Sequence, residues 1–394
     1  MDHKKINIAI FVNTVLKVGG GFTYVNNIIE QLLSWEQSEF NFLFYSDKHE
    51  TIEYLKTRDI ESILVFSGYK NIFRTLVRDR KICIGKKISD LMKKDNIDLA
   101  YLPGPFSTWL ELEDTRFIFT IHDLGHRDIP VFPEVYNHGE FERREKVYGQ
   151  GAVKSFATIV DSEITKNKLL DFYGVNNDKV EILEFLPNME LSKIDASLGK
   201  SILDRFNISK DFIFYPAQFW AHKNHNYILE GVKLYNEKYN KKLNVVFSGA
   251  NHGNLSYVLN KAKELEIDNQ VYYVGFISNE EMAFLYKNCL ALVMPTYLSN
   301  TNIPPLEAFM MKVPVLYPNY LECADILKHA TINIDLADPN SFVSAIQKVI
   351  DNDEEVNDKV EQGYEYITKL QNSNYMEPIV KILNRYKHMR QAWN

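Results

Sequence analysis

The chain opens on the apolar run Ile6-Asn7-Ile8-Ala9-Ile10-Phe11-Val12, followed by the triplet Gly19-Gly20-Gly21 and by Tyr24–Trp35, which has helical spacing. The run is too short and too interrupted for the hydrophobic region of a signal peptide, and no small-residue cleavage site follows it. It therefore predicts a first buried strand that leads through the glycines into a helix.

Short apolar runs typical of strands recur along the chain, and segments with helical spacing such as Glu280–Asn288 separate many of them. The candidate strands are Ile6–Val12, Phe40–Tyr45, Ile63–Phe66, Leu99–Leu102, Phe117–Ile121 and Thr158–Val160, then Phe212–Tyr215, Asn244–Ser248, Val271–Val274, Ala291–Met294 and Val315–Tyr317. Strands that alternate with helices form parallel sheets with right-handed crossovers. The sequence therefore predicts the α/β class.

The two series of strands divide the 394 residues into two halves, and domains of about 100–200 residues are the usual size. A polar stretch separates the halves after Phe185-Leu186-Pro187-Asn188. We predict two Rossmann-like domains that face each other across a cleft, one at 1–187 and one at 188–374. The last segment, at about 375–394, is amphipathic and is expected to pack back onto the first domain.

Composition and charge argue against several classes of protein. The 45 basic and 52 acidic residues give a net charge of −7, whereas nucleic-acid binders are usually basic. The cysteines Cys83, Cys289 and Cys323 are far apart, which argues against a disulfide framework or a thiolate metal site and indicates a reducing compartment. No apolar run is long enough to span a membrane as a helix, so we expect a cytoplasmic protein.

The triplet Gly19-Gly20-Gly21 is a candidate anion site, because glycines let main-chain N–H groups approach an anion at a helix N-terminus. Its spacing is not that of the dinucleotide fingerprint G-x-G-x-x-G, and Asp47 after the second strand does not fit that fingerprint either. A plain flexible turn is the alternative interpretation.

His122-Asp123 ends the predicted strand Phe117–Ile121, at the sheet edge where open α/β folds bind ligands. A histidine there can hydrogen-bond a ligand or move a proton, and a ring satisfied by nearby main chain is the alternative. His122 and His126 have the spacing of a zinc helix, but the aspartate after the first histidine does not fit that motif. Asp351-Asn352-Asp353 predicts a solvated loop, so we assign no metal site.

A lysine follows the first strand of the second half, within Gln218-Phe219-Trp220-Ala221-His222-Lys223-Asn224. Lys223 lies at a strand end and just before a helix. It is suited to a diphosphate there, because its ammonium supplies a positive charge and three donors. A solvated side chain is the alternative.

A proline pair begins the helix predicted after Ala291–Met294, in the stretch Ser299-Asn300-Thr301-Asn302-Ile303-Pro304-Pro305-Leu306-Glu307. Prolines suit the first turn of a helix, and Thr301 or Asn302 is expected to cap it. The free N–H groups of this turn are expected to meet a phosphate or sugar oxygen. Glu307 is expected to accept hydrogen bonds from ribose hydroxyls, with favourable charge near a helix N-terminus as its alternative role.

Together these segments resemble the retaining nucleotide-sugar glycosyltransferases of family four, which have the GT-B architecture, in the form found among enzymes of bacterial surface polysaccharides. The resemblance covers most of the chain and rests on the order and spacing of its motifs. They are the strand–glycine–helix opening, Thr120-Ile121-His122-Asp123-Leu124, Val160-Asp161-Ser162-Glu163-Ile164-Thr165-Lys166, the Gln218-to-Asn224 stretch, Val274-Gly275-Phe276-Ile277 and Thr301-Asn302-Ile303-Pro304-Pro305-Leu306-Glu307-Ala308.

The resemblance implies a nucleoside-diphosphate sugar donor on the second domain and an acceptor, a glycan or lipid-linked saccharide, on the first. It implies three catalytic residues: His122 under the donor sugar, Lys223 at the diphosphate, and Glu307 at the ribose as the second Glu of the family's Glu-x7-Glu motif. It also implies that Gly20 and Gly21 lie near the diphosphate, and that the main chain of Phe276 and Ile277 meets the base. The donor-binding residues that it implies are Gly20, Gly21, Gln218, Phe276, Ile277, Ser299, Asn300, Thr301, Asn302 and Ile303.

Two residues depart from the family pattern: Ser299 replaces the first Glu of Glu-x7-Glu, and Gln218 replaces an Arg five residues before the lysine. We interpret both as variants of a branch of the family. The resemblance implies front-face attack, in which the leaving phosphate oxygen takes the acceptor proton. It implies neither a metal nor a cofactor, since the nucleotide sugar is a substrate.

Two other functions are alternatives to this interpretation. A catalytically silent GT-B scaffold that binds nucleotide sugar or glycan is suggested by Ser299 and Gln218. A nicotinamide dehydrogenase is suggested by the opening strand and helix, and the absence of the G-x-G-x-x-G fingerprint argues against it.

The segment Phe73–Asp95 is a candidate membrane contact, because it carries more Lys and Arg than Asp and interleaves them with apolar residues. A peripheral contact with the anionic inner face of the membrane would suit a lipid-linked acceptor. A solvated basic face on an amphipathic helix pair is the alternative.

Overall fold

The computed structural model describes residues 5–14, 19–65, 88–209, 211–298, 301–319 and 323–393. The chain divides into two compact units: unit 1 comprises Met1–Leu124, Glu142–Glu184 and Met376–Asn394, and unit 2 comprises Gly125–Phe141 and Phe185–Tyr375. Residues 125–141, which the sequence predicts in the first domain, make their contacts within unit 2. Residues 73–87 of the basic segment lie outside the described residues.

The described residues form strands and helices that alternate along the chain. The strands are β1 (Ile6–Phe11), β2 (Phe40–Ser46), β3 (Ser62–Leu64), β4 (Leu99–Leu102), β5 (Arg116–Ile121), β6 (Ala157–Val160), β7 (Val180–Ile182), β8 (Phe212–Pro216), β9 (Asn244–Ser248), β10 (Val271–Gly275), β11 (Leu292–Val293), β12 (Val315–Pro318) and β13 (Ile332–Ile334). The helices are α1 (Gly19–Ser34), α2 (His49–Lys56), α3 (Ile88–Lys94), α4 (Gly125–Asp128), α5 (Pro133–Tyr136), α6 (Glu140–Arg144), α7 (Gln150–Lys154), α8 (Glu163–Tyr173), α9 (Ser201–Phe206), α10 (His225–Tyr239), α11 (Leu255–Glu264), α12 (Asn279–Asn288), α13 (Ile303–Met310), α14 (Asp325–His329), α15 (Pro339–Ile350), α16 (Glu354–Gln371) and α17 (Glu377–Arg390). Short 3₁₀ turns lie at Ser107–Glu111, Asn137–Gly139, Asn177–Lys179, Ala196–Gly199, Ala221–Lys223 and Asp268–Gln270, and a π turn joins α6 to α7 at Glu145–Gly149.

Each unit is built on one parallel sheet. The strand order is β3-β2-β1-β4-β5-β6-β7 in unit 1 and β10-β9-β8-β11-β12-β13 in unit 2, and every paired neighbour runs parallel. The chain alternates between strand and helix because parallel neighbours need a crossover connection. This arrangement confirms the predicted α/β class.

The strand order reverses direction at β1 in unit 1 and at β8 in unit 2. β1 pairs with β2 on one side and β4 on the other, and β8 pairs with β9 and β11. Open α/β sheets bind ligands outside the carboxyl ends of the strands at such a point. In unit 2 the loops that follow β8 and β11 therefore define the edge at which a ligand is expected.

The helix α1 follows the central strand of unit 1 and buries one face against the sheet. Tyr24, Val25, Ile28, Ile29 and Leu32 are at most 2% exposed, and they recur with the spacing of one helix face. The helix begins at Gly19, so the glycine triplet forms its first turn instead of a loop before it.

The last helix, α17, packs on unit 1. Ile382 and Tyr386 are buried, the ring of Tyr386 lies 5.2 Å from that of Phe156, and its hydroxyl donates to the main-chain oxygen of Asp98. Arg390 forms an ion pair with the Asp98 carboxylate at 3.2 Å. Among the described residues, no helix has the length and apolar character needed to cross a membrane.

Two strands were not predicted from the sequence. β7 and β13 are three residues long, and each lies at the edge of its sheet. A run of three residues is too short to show the twofold periodicity of a strand. Their place is set by pairing with β6 and β12 instead.

Gly363 allows α16 to pack closely against α13. A methyl group at this position would lie 2.5 Å from Cδ1 of Phe309, a buried residue of α13. We expect Gly363→Ala to destabilise unit 2 by about 1–3 kcal/mol through overpacking, although alanine is favoured over glycine in a helix by about 1 kcal/mol.

Thermal unfolding of the purified variants measures this effect. Gly21→Ala is the matched control, because nothing lies within 4 Å of the methyl position at that helical glycine. An unfolding temperature for Gly363→Ala equal to that of the control would contradict close packing of the two helices.

Candidate functional site

Lys223 lies at the carboxyl edge of the unit 2 sheet. The buried strand β8 leads into the turn Ala221–Lys223, and the Tyr215 hydroxyl donates to the main-chain oxygen of Lys223 at 2.9 Å. The ammonium donates to Oδ1 of Asn302 at 3.2 Å. The structure thus brings together two of the residues that the sequence analysis predicted, from the loops after β8 and β11.

Asn302 occupies the N-cap position of α13, but its side chain does not cap the helix. Its Nδ2 donates to the hydroxyl of Tyr317, a fully buried residue of β12, at 2.8 Å. Because the amide nitrogen is used in this way, the amide oxygen faces the Lys223 ammonium. The expected cap is therefore replaced by a bridge between Lys223 and Tyr317.

The first turn of α13 offers fewer donors than the sequence analysis expected. Pro304 and Pro305 have no N–H, so Ile303 is the first-turn residue whose amide can meet an anion. The predicted contact of this helix start with a phosphate or sugar oxygen stays a prediction. Ser299 and Asn300 lie outside the described residues, and Thr301 is buried.

Glu307 is buried one turn into α13. Its Oε2 accepts a hydrogen bond from the Tyr286 hydroxyl at 2.7 Å, and the main-chain N–H of Asn188 donates to the same carboxyl group. Burial raises the pKa of Glu307, and these two hydrogen bonds oppose the rise. Burial and the neighbouring carboxylate raise the pKa of Tyr286 well above its ordinary value, so the phenol stays a donor.

Gln218 is held by a neighbour in its own loop. Its Oε1 accepts from Nε1 of Trp220 at 2.9 Å, and the Trp220 ring stacks on His252 with ring centroids 4.1 Å apart. The loops after β8 and β9 are thereby joined. The predicted contact of Gln218 with a donor stays a prediction.

The predicted base contacts lie after β10, at the same edge of the sheet but separated from β8 by β9. The Phe276 side chain is 58% exposed, and Ile277 is buried. The part that these two residues play in binding a base stays a prediction.

His122 follows β5 in unit 1. Its ring packs edge-on against Tyr24 of α1, with centroids 4.7 Å apart, and the same helix begins with the exposed residues Gly20 and Gly21. Burial of the ring lowers the pKa of His122 to about 4, although the adjacent Asp123 carboxylate opposes the shift. The imidazole is therefore neutral at physiological pH, and its predicted place under a donor sugar stays a prediction.

The two patterns that resemble metal motifs have structural explanations. His126 is buried and packs edge-on against Phe141, with ring centroids 5.5 Å apart. Asp353 caps α16, because its carboxylate accepts from the Glu355 main-chain N–H at 2.9 Å. Within the described part of the chain, no group of three or more His, Cys, Asp or Glu residues could hold a metal ion.

Sequence reasoning missed several residues that surround the candidate site of unit 2. Tyr286 binds Glu307, Tyr317 binds Asn302, and Glu134 binds His222. No local pattern marks these residues, because each contacts a partner that is distant in sequence. The signal that could have found them is the order of strands in the sheet together with the positions of buried polar side chains.

Comparisons with known proteins bear on the chain as a whole and on its second unit. Residues 204–366 match the family model of the glycosyl transferases group 1. The O-antigen chain mannosyltransferase RfbU of Salmonella typhimurium is 21% identical over 218 residues, which are 55% of this chain and 56% of that protein. The match thus spans 56% of the length of RfbU and 24% of the length of the mannosyltransferase WbdA of Escherichia coli, to which the chain is 19% identical over 202 residues.

Solved structures match over nearly the whole chain. A glycosyltransferase from Rickettsia africae has a TM-score of 0.69 at 16% identity, covering 98% of both chains. Anabaena HepE, solved in complex with UDP-glucose, has a TM-score of 0.71 at 10% identity, covering 98% of this chain and 100% of that one. At such low identity these matches establish the fold. Over residues 204–366 the chain is thus similar to the glycosyl transferases group 1 family, and the fold of the chain is that of the GT-B glycosyltransferases.

Proposed function

We propose that this protein is a retaining glycosyltransferase. It moves a sugar from a nucleoside-diphosphate sugar to a hydroxyl of a glycan or lipid-linked saccharide, in the synthesis of a cell-surface polysaccharide. It needs neither a metal nor a cofactor. The donor binds unit 2 and the acceptor binds unit 1.

The observation that carries this proposal is the Lys223 ammonium at the switch point of the unit 2 sheet, hydrogen-bonded to Asn302. A fixed cation at this edge suits a diphosphate. The family match of residues 204–366 and the likeness to an O-antigen mannosyltransferase support the same reaction class. HepE, which has a similar fold, was solved with UDP-glucose, and this supports a nucleotide-sugar donor.

Catalysis in this proposal consists mainly of stabilising the leaving diphosphate. Negative charge grows on the phosphate oxygen as the sugar–phosphate bond breaks, and Lys223 meets that charge from a fixed position. The oxygen of the leaving phosphate takes the proton of the attacking hydroxyl, which enters on the same face of the sugar. Glu307 accepts hydrogen bonds from the ribose hydroxyls and holds the donor.

A catalytically silent nucleotide-sugar binder is the second candidate. One observation favours it: Gln218 is uncharged, and its amide oxygen is used by Trp220 instead of by a ligand. Only an active enzyme releases nucleoside diphosphate.

Peripheral binding to an anionic membrane through Phe73–Asp95 stays a proposal. It rests on the sequence, because the structure describes only residues 88–95 of that segment.

The proposed donor class predicts stabilisation by nucleotides. A ligand at 100 times its dissociation constant adds about 2.7 kcal/mol to the free energy of unfolding, which thermal unfolding readily detects. We expect the sugars of one nucleotide among UDP, GDP, dTDP and ADP to raise the unfolding temperature. We also expect the enzyme to release the corresponding nucleoside diphosphate slowly, and this release to continue in EDTA. A rise without any release would favour the silent binder, and release abolished by EDTA and restored by Mn²⁺ would overturn the metal-independent mechanism.

Replacing the lysine is expected to slow the reaction. Lys223→Ala removes a charged hydrogen bond to the diphosphate, worth about 1.5–3 kcal/mol, so kcat/KM for donor turnover should fall about 10- to 100-fold. Steady-state release of nucleoside diphosphate measures it. Lys348→Ala is the control, because Lys348 forms an exposed ion pair with Glu355 on the surface of unit 2 and should leave kcat/KM unchanged. Equal kinetics in both variants would remove Lys223 from the site.

Donor affinity is expected to depend on the ionisation of Glu307. A carboxyl whose pKa is raised is still protonated at a pH where an ordinary glutamate is charged, so affinity should fall on acidification before an exposed glutamate would titrate. Tyr286→Phe removes a hydrogen bond that favours the charged form, and should move this fall to higher pH. Calorimetric titration of the nucleoside diphosphate between pH 5 and 8 measures the profile.

The exposed Tyr257 provides the control for this profile, since Tyr257→Phe should leave it unchanged. Glu307→Gln should weaken binding and remove the contribution of Glu307 to the pH dependence, which leaves the titration of the terminal phosphate that all variants share. A profile for Tyr286→Phe that coincides with that of the native protein would contradict the assignment of Glu307 to the ribose.

A further inference from the structure

The turn that carries Lys223 is held by an acidic residue that the proposed mechanism does not use. Glu134 lies in α5, within the segment Gly125–Phe141 that belongs to unit 2. Its Oε1 accepts from the main-chain N–H of His222 at 2.9 Å and also bonds the Nδ1 atom of the His222 ring. The two side chains are 7% and 14% exposed, so solvent competes little for these bonds.

The charge state of this pair follows from its hydrogen bonds. Burial favours protonation of Glu134, but the two bonds from His222, a main-chain hydrogen bond of Glu134 itself and the charge of His222 together lower the pKa of the carboxyl group. An ionised carboxylate only accepts hydrogen bonds, so the proton of the shared bond lies on Nδ1 of His222. One carboxylate oxygen thus fixes both the main chain and the ring of the residue before Lys223.

His222 is also held from its other side. Its main-chain oxygen accepts from the N–H of Tyr297 at 2.8 Å. The Phe132 ring packs edge-on against the His222 ring at 6.2 Å and lies 5.5 Å from the Tyr297 ring. The turn is therefore fixed between the segment that contains Glu134 and the loop after β11.

We propose that Glu134 is a positioning residue of the donor site, which acts through His222 to place the Lys223 ammonium for the diphosphate. This inference rests on the proposed function, because it assumes that Lys223 binds the donor. Glu134 itself need not touch the donor. Its effect is pre-organisation: without it the turn Ala221–Lys223 loses the bonds on one side, and the lysine must be ordered by the ligand.

Calorimetric binding tests this proposal on the full chain. The probe is the nucleoside diphosphate, among UDP, GDP, dTDP and ADP, that most raises the unfolding temperature. Glu134→Ala should weaken its binding about 10-fold and lower kcat more than it raises KM, because misplacement of a charged group costs most in the transition state. Glu134→Gln keeps an oxygen that can accept both bonds from His222, and should restore binding to within about threefold of the native value.

The double variant separates positioning from a general structural role. In the Lys223→Ala background, Glu134→Ala should cause no further loss of affinity, since the group that it positions is absent. Glu264→Gln, which alters an exposed ion pair on α11, is the control and should change nothing. Additive losses, or equal losses for Glu134→Ala and Glu134→Gln, would overturn the positioning role.

Two further outcomes keep the test decisive. If Glu134→Ala unfolds, His222→Phe replaces it, since this variant removes the ring bond but keeps the main-chain bond and the packing against Phe132; the same non-additivity with Lys223→Ala is expected. If Lys223→Ala alone leaves affinity unchanged, the proposed function loses its diphosphate contact and the inference falls with it. If Lys223→Ala lowers the affinity for the nucleoside diphosphate but neither Glu134→Ala nor His222→Phe does, the positioning role of Glu134 is overturned and the proposed function stands.

Discussion

The hydrogen bond between Lys223 and Asn302 joins the ends of two strands that are adjacent in space and far apart in sequence. A partly buried ammonium must exchange hydration for protein oxygen atoms, and Oδ1 of Asn302 at 3.2 Å supplies one. Tyr317, by taking the amide nitrogen of Asn302, fixes the direction of that oxygen. The position of the charge therefore depends on the neighbouring order β8-β11-β12, and hence on the whole parallel sheet.

The sequence predicts most of this fold because buried parallel strands are marked by their own composition. The central strands β1 and β8 are apolar except for Asn7 in β1, and the predicted end of each differs from the observed one by one residue. The edge strands β7 and β13 escape prediction because three residues carry no periodicity, and pairing alone makes them strands. The sequence also does not predict that Gly125–Phe141 belongs to unit 2, because contacts between residues distant in sequence decide this membership.

The candidate site is predictable only in part. Types of residue at strand ends point to Lys223 and Glu307, because the topology of a parallel sheet brings such ends to one edge. The partners of these residues are not predictable, since Lys223 and Asn302 are 79 positions apart, and Glu134 and His222 are 88 positions apart. Which side chains meet depends on strand order and side-chain rotamers.

Two buried glutamates of unit 2 differ in what their partners do to them. Glu307 meets the neutral phenol of Tyr286 and one main-chain N–H, and burial still raises its pKa. Glu134 receives two bonds from His222 on a single oxygen, and its pKa falls despite burial. Each carboxylate receives at least two hydrogen bonds and can accept about four, so Glu307 keeps the capacity to accept from a ligand hydroxyl. Glu134, committed to one residue through both its main chain and its ring, is suited to hold a turn in place instead.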